Sequence, residues 1–408
     1  MHTTNASDPR IERNRMRRQV ELLRQQLYWQ PDLTQTPELL DRLLAAEGEL
    51  HRLEQAIPEK DDPAVQGVLM DTSDSGSETM GGYSIWTVRL ELRQSHIPTG
   101  IVHLFEADDY PLVSAQINFQ GDELARLRVS CWVEGYSDLA VDTAELTLYQ
   151  TSSEIKLLPV FRSPAIRRLH ELTRATLHFQ ILDTVSQREL YRTFPIWLLP
   201  QSSAYLWIQD PISERRIDLA PYLAAWVTPN DPNVMQILRN AAELHPNQAL
   251  CGYQGDVQDV ARQVEAIFQA MKAQDIRYIN SVLTFGAVPG VFQQRVRLPR
   301  ESLKTRSANC LDGTLLMASL LEAASLNPGI VLVPGHAFLA WETQDGNGAW
   351  DYLETTMTGG YAFSQAVQAG RKQAVPWQNL GEQTGDVWRF RRLSLRDLRL
   401  GYGISPIA

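Results

Sequence analysis

The apolar positions change period along the chain, and each change predicts a different kind of structure. Over residues 8–57 they recur at helical spacing. Val20, Leu23 and Leu27 form one stripe, and Ala46, Leu50, Leu53 and Ile57 form a second. Asp8–Pro9 and Thr36–Pro37 each set a capping side chain before a proline at the first helical position. With WQPDLTQTP as the turn, this predicts a helical hairpin over residues 1–60. Residues 61–82 include DTSDSGSETMGG, polar and aperiodic, which predicts a linker.

From 83 to 200 the pattern alternates. IWTVRLELRQ, GIVHLFEA, LVSAQINF, ARLRVSCWVEG, AELTLYQ, ATLHFQILD and RTFPIWLLP read as short strands separated by turn residues, the pattern of an antiparallel β-sandwich. Cys131 falls in mid-strand beside Trp132 and reads as a core thiol, and His103 and His178 are also placed in strands. Residues 201–235, rich in proline and aromatic residues, read as a connector. Over 236–408 helical periods return in NVMQILRNAAEL and DVQDVARQVEAIFQAMKAQD, where Val260, Val264, Ile267, Phe268 and Met271 share a face. A third helix begins near Cys310, and GIVLVPG, HAFLAWET and AWDYLETT read as three successive strands. The expected fold class is multidomain α+β.

Composition narrows the function classes. A net charge of −10 opposes nucleic-acid binding, which needs a clustered positive surface, and opposes docking on an anionic membrane. No apolar run approaches the ~18–20 residues that span a bilayer, and the first residues lack the apolar core of a secretory signal. The three cysteines, Cys131, Cys251 and Cys310, are far apart and odd in number. They make neither a disulfide framework nor a zinc spacing, so a reducing cytoplasm is expected, with no metal and no cofactor. Arg10, Arg13, Arg15, Arg17 and Arg18 decorate the first helix, either as a solvated face or as a surface for a protein partner.

The chemistry concentrates in SANCLDGTLLMASLL. Leu311, Leu315, Leu316, Met317, Leu320 and Leu321 cover most of the helix circumference, so this helix should be buried on nearly all sides. Cys310 then sits in the first turn, where the helix dipole favours a thiolate. Asp312 shares that turn, and its charge opposes thiolate formation unless it is turned away. A thiolate nucleophile needs a base and a group that orients the base. His336 opens a strand after the Pro334–Gly335 turn, and the next strand offers Glu354 or Asp351. These two acids lie three residues apart, so in a regular strand they face opposite sides and only one can serve. Cys251 and His245 have no such company and read as structural, His245 as a helix-end residue.

The segment SANCLDGTLLMASLLEAASLNPGIVLVPGHAFLAW, continued by GAWDYLETT, resembles the transglutaminase-like superfamily of cysteine hydrolases, papain-like in architecture. Cys310 and Asp312 match the helix start of that pattern, His336–Ala337 the histidine strand, and Trp350, Leu353 and Thr356 the third strand. The match spans roughly residues 240–360. Glu354 stands where Asp is commoner, Thr355 where Pro is, and Ala308 where Gly is usual. The resemblance implies a catalytic triad of Cys310, His336 and Glu354, with Asp351 excluded. Gln294 becomes the oxyanion donor beside the Cys310 backbone N–H. It implies a transglutaminase-like domain over 236–408 that acts on a protein or peptide amide. The expected outcome is hydrolysis, as a peptidase or amidase, with a cross-linking transferase or an inactive interaction protein as the other outcomes. A regulated effector recruited through its N-terminal parts fits this layout, as does a housekeeping peptidase.

Overall fold

The computed structural model describes residues 86–407 apart from 122–123, 210–215, 280–290 and 386–388, together with isolated helical positions at 16, 19, 23, 42, 45, 46, 49 and 52. Apart from those positions, the hairpin expected over 1–60 and the linker over 61–82 lie outside the described residues. The protein is a mixed α+β structure.

The alternating first half forms two sheets. Strands β1 (Trp86–Leu92), β3 (Val113–Phe119) and β6 (Ser152–Leu157) make one, in the order β1-β3-β6. Strands β2 (His96–Pro98), β4 (Ala125–Val133), β5 (Ala140–Leu146), β7 (Thr173–Asp183) and β8 (Glu189–Leu199) make the other, in the order β2-β8-β7-β4-β5. The two-residue period explains both. In β7, Ala175, Leu177, Phe179 and Ile181 turn inward while the residues between them are wetter, and in β3 Ala115, Ile117 and Phe119 do the same. Both inner faces enter one continuous core that includes Cys131, as its position suggested. His178 is in a strand too, on the outward face, with its ring 4.9 Å from that of Trp132 in a stacked pair.

Two local readings are corrected. GIVHLFEA is not a strand: Val102–Leu104 is a 3-10 turn, and His103 sits in it. The apolar side chains there are buried by a compact turn, which a short alternating run cannot distinguish from a strand. Residues 201–235 are also more regular than a connector. They hold β9 (Ser203–Gln209), β10 (Arg216–Asp218) and the 3-10 segment Ala220–Trp226. Strand β9 lies between β10 and β12 (Val291–Arg295), a partner about 90 residues away. Pairing at that range leaves no local signature.

The second half is built around one sheet with helices on both sides. Helices α1 (Pro232–Leu244), α2 (Val257–Lys272), α3 (Pro299–Thr305) and α4 (Cys310–Ala323) precede it. Asp231 and Asp256 cap α1 and α2 by accepting from the backbone N–H of Asn233 and Asp259. The antiparallel sheet runs β16 (Trp350–Leu353), β15 (His336–Glu342), β14 (Pro328–Val333), β17 (Arg391–Ser394). Helices α5 (Phe363–Thr384) and α6 (Leu395–Leu400) complete the chain. Along β15 the alternate residues divide. Ala337, Leu339 and Trp341 join the main core with α4, whereas Phe338 and Ala340 join a smaller core with Val331, Tyr352 and Ala374 of α5. The sheet is thus covered on both faces.

Helix α5 touches β16 closely because Gly370 has no side chain. A Cβ there would lie 2.7 Å from Leu353 N and 2.7 Å from the Tyr352 carbonyl carbon, and neither backbone atom can yield. Gly370→Ala is expected to lower stability by about 1–3 kcal/mol through overpacking, although alanine gains roughly 1 kcal/mol in helix propensity. Urea unfolding checks this. A higher midpoint for the variant would show that α5 is not held by this approach.

Candidate active site

Cys310 is the first residue of α4, and the residues before it explain the placement. Strands β11 (Arg277–Tyr278) and β13 (Ser307–Ala308) pair in parallel, with Tyr278 opposite Ala308, and deliver the chain to Asn309. Asn309 caps α4: its side chain accepts from Asp312 N at 2.8 Å, while Asp312 Oδ2 accepts from Asn309 N at 3.1 Å. Every residue from Cys310 to Leu321 is buried. Each fully buried leucine on this helix contributes about 2 kcal/mol. The two hydroxyls on its buried length are satisfied. Thr314 donates to Cys310 O, and Ser319 donates to Leu315 O while accepting from Thr228 N.

The Asp312 carboxylate is engaged by its own set of donors. It accepts from Arg297 N at 2.7 Å and from Arg297 Nη1 at 2.8 Å, and has no exposed side-chain surface. Burial pushes its pKa up, against the pull of the Arg297 and Asn309 amides and of the guanidinium. Its role is therefore to join the segment after β12 to the start of α4. Gln294 lies on β12 opposite Ala204. Asn309 Nδ2 donates to Arg295 O at 3.2 Å, so β12 ends beside the helix start. The structure brings together Cys310, His336 and Glu354. Among the hydrogen bonds of the described residues, none joins the Gln294 side chain to those three.

His336 is placed by a two-residue turn. Val333 pairs with His336 across Pro334–Gly335, and Gly335 has φ +77°, a conformation that favours glycine at the third position of such a turn. The imidazole Nε2 and Glu354 Oε2 are 2.7 Å apart, and both side chains are almost wholly buried, at 7% and 4% exposure. The side chain of Cys310 also acts on the ring. Burial would lower the His336 pKa, but the Glu354 charge and the contacts with Cys310 and Glu354 outweigh it, and the ring is pushed up to about 10. For Glu354, burial would raise the pKa, and the His336 charge with the Thr356 donors brings it below the ordinary value.

Glu354 sits just past β16 as the N-cap of the 3-10 turn Thr355–Met357. Its Oε1 accepts from Thr356 N at 3.0 Å and Thr356 Oγ1 at 2.6 Å, and its Oε2 accepts from Gln373 Nε2 at 3.0 Å besides facing His336. Asp351, the rival acid, points elsewhere and is held by Arg371 through two bonds of 2.6 Å. The sequence marks Thr356 only as part of the third-strand motif, without this role, and does not mark Gln373. Thr356 stands two residues after the acid, the usual place for a hydroxyl that closes a turn around a carboxylate. For Gln373 the only signal is the apolar stripe of Ala366, Val367, Gly370 and Ala374, which predicts the α5 face that carries it.

Cys251 is exposed, so packing does not account for it, whereas His245 is buried as the C-cap of α1 with Nε2 3.5 Å from Asp259 Oδ1. Among the described residues no group of three or more His, Cys, Asp or Glu could hold a metal ion, and no helix is long and apolar enough to cross a membrane. Compared with known proteins, the chain matches no family model, no curated protein and no solved structure.

The raised His336 pKa makes stability depend on pH in a definite direction. Above the imidazole's ordinary 6.5 the folded state holds a proton that the unfolded state has released. The stability contributed is complete below pH 6.5 and is lost as pH rises through about 10. Urea unfolding of the wild type against His336→Phe should show a difference that shrinks over that interval. A difference constant with pH would contradict a charged buried imidazole.

Proposed function

We propose that the chain is a cysteine hydrolase that cleaves an amide bond through an acyl-enzyme, with Cys310 as nucleophile, His336 as proton shuttle and Glu354 as the group that orients His336. The observation that carries this reading is the buried His336, held by Glu354 on Nε2 and meeting Cys310 at the start of α4. A thiol packed for stability alone needs no charged imidazole beside it, and a buried carboxylate is costly unless it has work to do. The paired Asp312, directed at Arg297, leaves the positive end of the α4 dipole to the sulfur.

In the proposed reaction the Cys310 proton already resides on His336 Nδ1, so that sulfur and ring form an ion pair, and the sulfur attacks the carbonyl carbon. The carbonyl π electrons move to oxygen. As the tetrahedral intermediate collapses, the C–N bond breaks and the leaving amine takes the proton from His336. Water, deprotonated by His336, then releases the acid. This is the chemistry of the transglutaminase-like cysteine hydrolases that the motifs resemble. A three-part arrangement also fits this reading: a helical hairpin, a β-sandwich over 83–200, and a catalytic domain over 236–408. The N-terminal parts would recruit a protein substrate or partner in the cytoplasm.

Iodoacetamide alkylation tests the reading without a known substrate. Cys310 should label faster than exposed Cys251, and His336→Ala should slow Cys310 by about 100-fold or more. Equal labelling of the two cysteines, or indifference to His336→Ala, would remove the catalytic assignment. Incubating an acylated enzyme with a fluorescent primary amine separates the outcomes: release of free acid marks a hydrolase, and acyl transfer to the amine marks a transferase.

A further inference from the structure

A narrow crevice opens beside the triad. It has a volume of about 20 Å³, and its walls include Tyr278, Asn309, Gly313, Thr355 and Thr356. Asn309 adjoins Cys310, while Thr355 and Thr356 follow Glu354. Gly313 lies three residues along α4 from Cys310 and so shares its face. A Cβ on Gly313 would meet Thr355 Oγ1 at 3.3 Å, which accounts for glycine there. The largest side chain in these walls is Tyr278. Its strand runs parallel to β13 with Tyr278 opposite Ala308, which places the ring alongside the two residues that lead into Cys310.

We infer that Tyr278 is a catalytic residue of the reaction proposed above, its phenol hydroxyl donating a hydrogen bond to the carbonyl oxygen of the substrate as that oxygen becomes negative. The inference rests on the Cys310 reading and adds to it a residue that neither the spacing of motifs nor the family resemblance indicates. In the step concerned, the Cys310 sulfur forms a bond to the carbonyl carbon and the C=O π pair becomes a lone pair on oxygen. Tyr278 keeps its proton throughout and supplies a dipole, so no proton balance changes. When the intermediate collapses, the pair returns and the amine leaves with the His336 proton. The phenol is suited to this. Burial, and then the negative charges of Cys310 and Glu354, push its pKa above the ordinary value, so it stays a neutral donor. The shared crevice sets Tyr278 against Ala308 and Asn309, which precede the sulfur, and Thr355 and Thr356, which follow the orienting acid. A preorganised donor of this kind is worth about 100-fold in rate.

Two reactions of the same sulfur make the test. Alkylation by iodoacetamide develops no oxyanion, whereas acylation by p-nitrophenyl acetate passes through one. Tyr278→Phe should leave Cys310 alkylation within about twofold of wild type and slow acylation by about 100-fold. Equal slowing of both reactions would mean that Tyr278 acts through the thiolate or the packing, and would overturn the inference. So would acylation at the wild-type rate. Tyr278→His, which restores a donor on a ring, should recover part of the acylation rate if the variant keeps normal alkylation, and no recovery under that condition counts against the inference. Failure of the wild-type Cys310 to outpace Cys251 in alkylation would instead remove the parent reading, and this one with it.

Discussion

The second half of the molecule is organised around a carboxylate that has been taken out of water. Desolvating Glu354 costs several kcal/mol, and only an opposite charge with well-placed donors offsets that. His336 supplies the charge at 2.7 Å, and Thr356 and Gln373 supply the donors. Leaving either charge alone by removing its partner would cost about 3–5 kcal/mol. Four elements must therefore arrive together: the turn before β15, the end of β16, the 3-10 turn after it, and α5.

The packing around this pair keeps it in place. Helix α4 is buried over its first twelve residues, and Arg399 ties its last turn to the C-terminal segment by donating to Glu322, Val227 O and Ile404 O. On the opposite face of the sheet, Gly370 lets α5 approach β16, and the Arg371–Asp351 pair fixes its rotation. Phe338 backs the imidazole, with ring centroids 5.9 Å apart. Close-packed interiors of this kind resist the small shifts that would separate Cys310 from His336. In the proposed reaction the sulfur, the ring and the carboxylate are already in place before a substrate arrives.

Much of this was legible in the chain, and the rest was not for physical reasons. The buried helix after Cys310 and the three strands that follow are legible because each rests on local period, whereas parity along a strand shows only that Glu354 and Asp351 cannot both serve, and the choice of Glu354 comes from the family resemblance. The Pro334–Gly335 turn was readable because it needs a glycine at positive φ. The role of Asp312 was left open, since its partner Arg297 lies fifteen residues back and only the fold brings them together. Pairing of β9 with β12 and the reach of Gln373 to Glu354 are likewise tertiary, and no local pattern encodes them. The turn at His103 was misread because a few alternating apolar residues suit a compact turn as well as a strand.

The central claim is that His336 carries a positive charge at neutral pH because Glu354 is beside it. A nitrogen-15 NMR titration of the histidine side chains measures this directly. The account predicts that both ring nitrogens of His336 stay protonated well above the ordinary 6.5, and that Glu354→Gln brings the titration down. A His336 that loses its proton near 6.5 in the wild type, or one unmoved by Glu354→Gln, would contradict it.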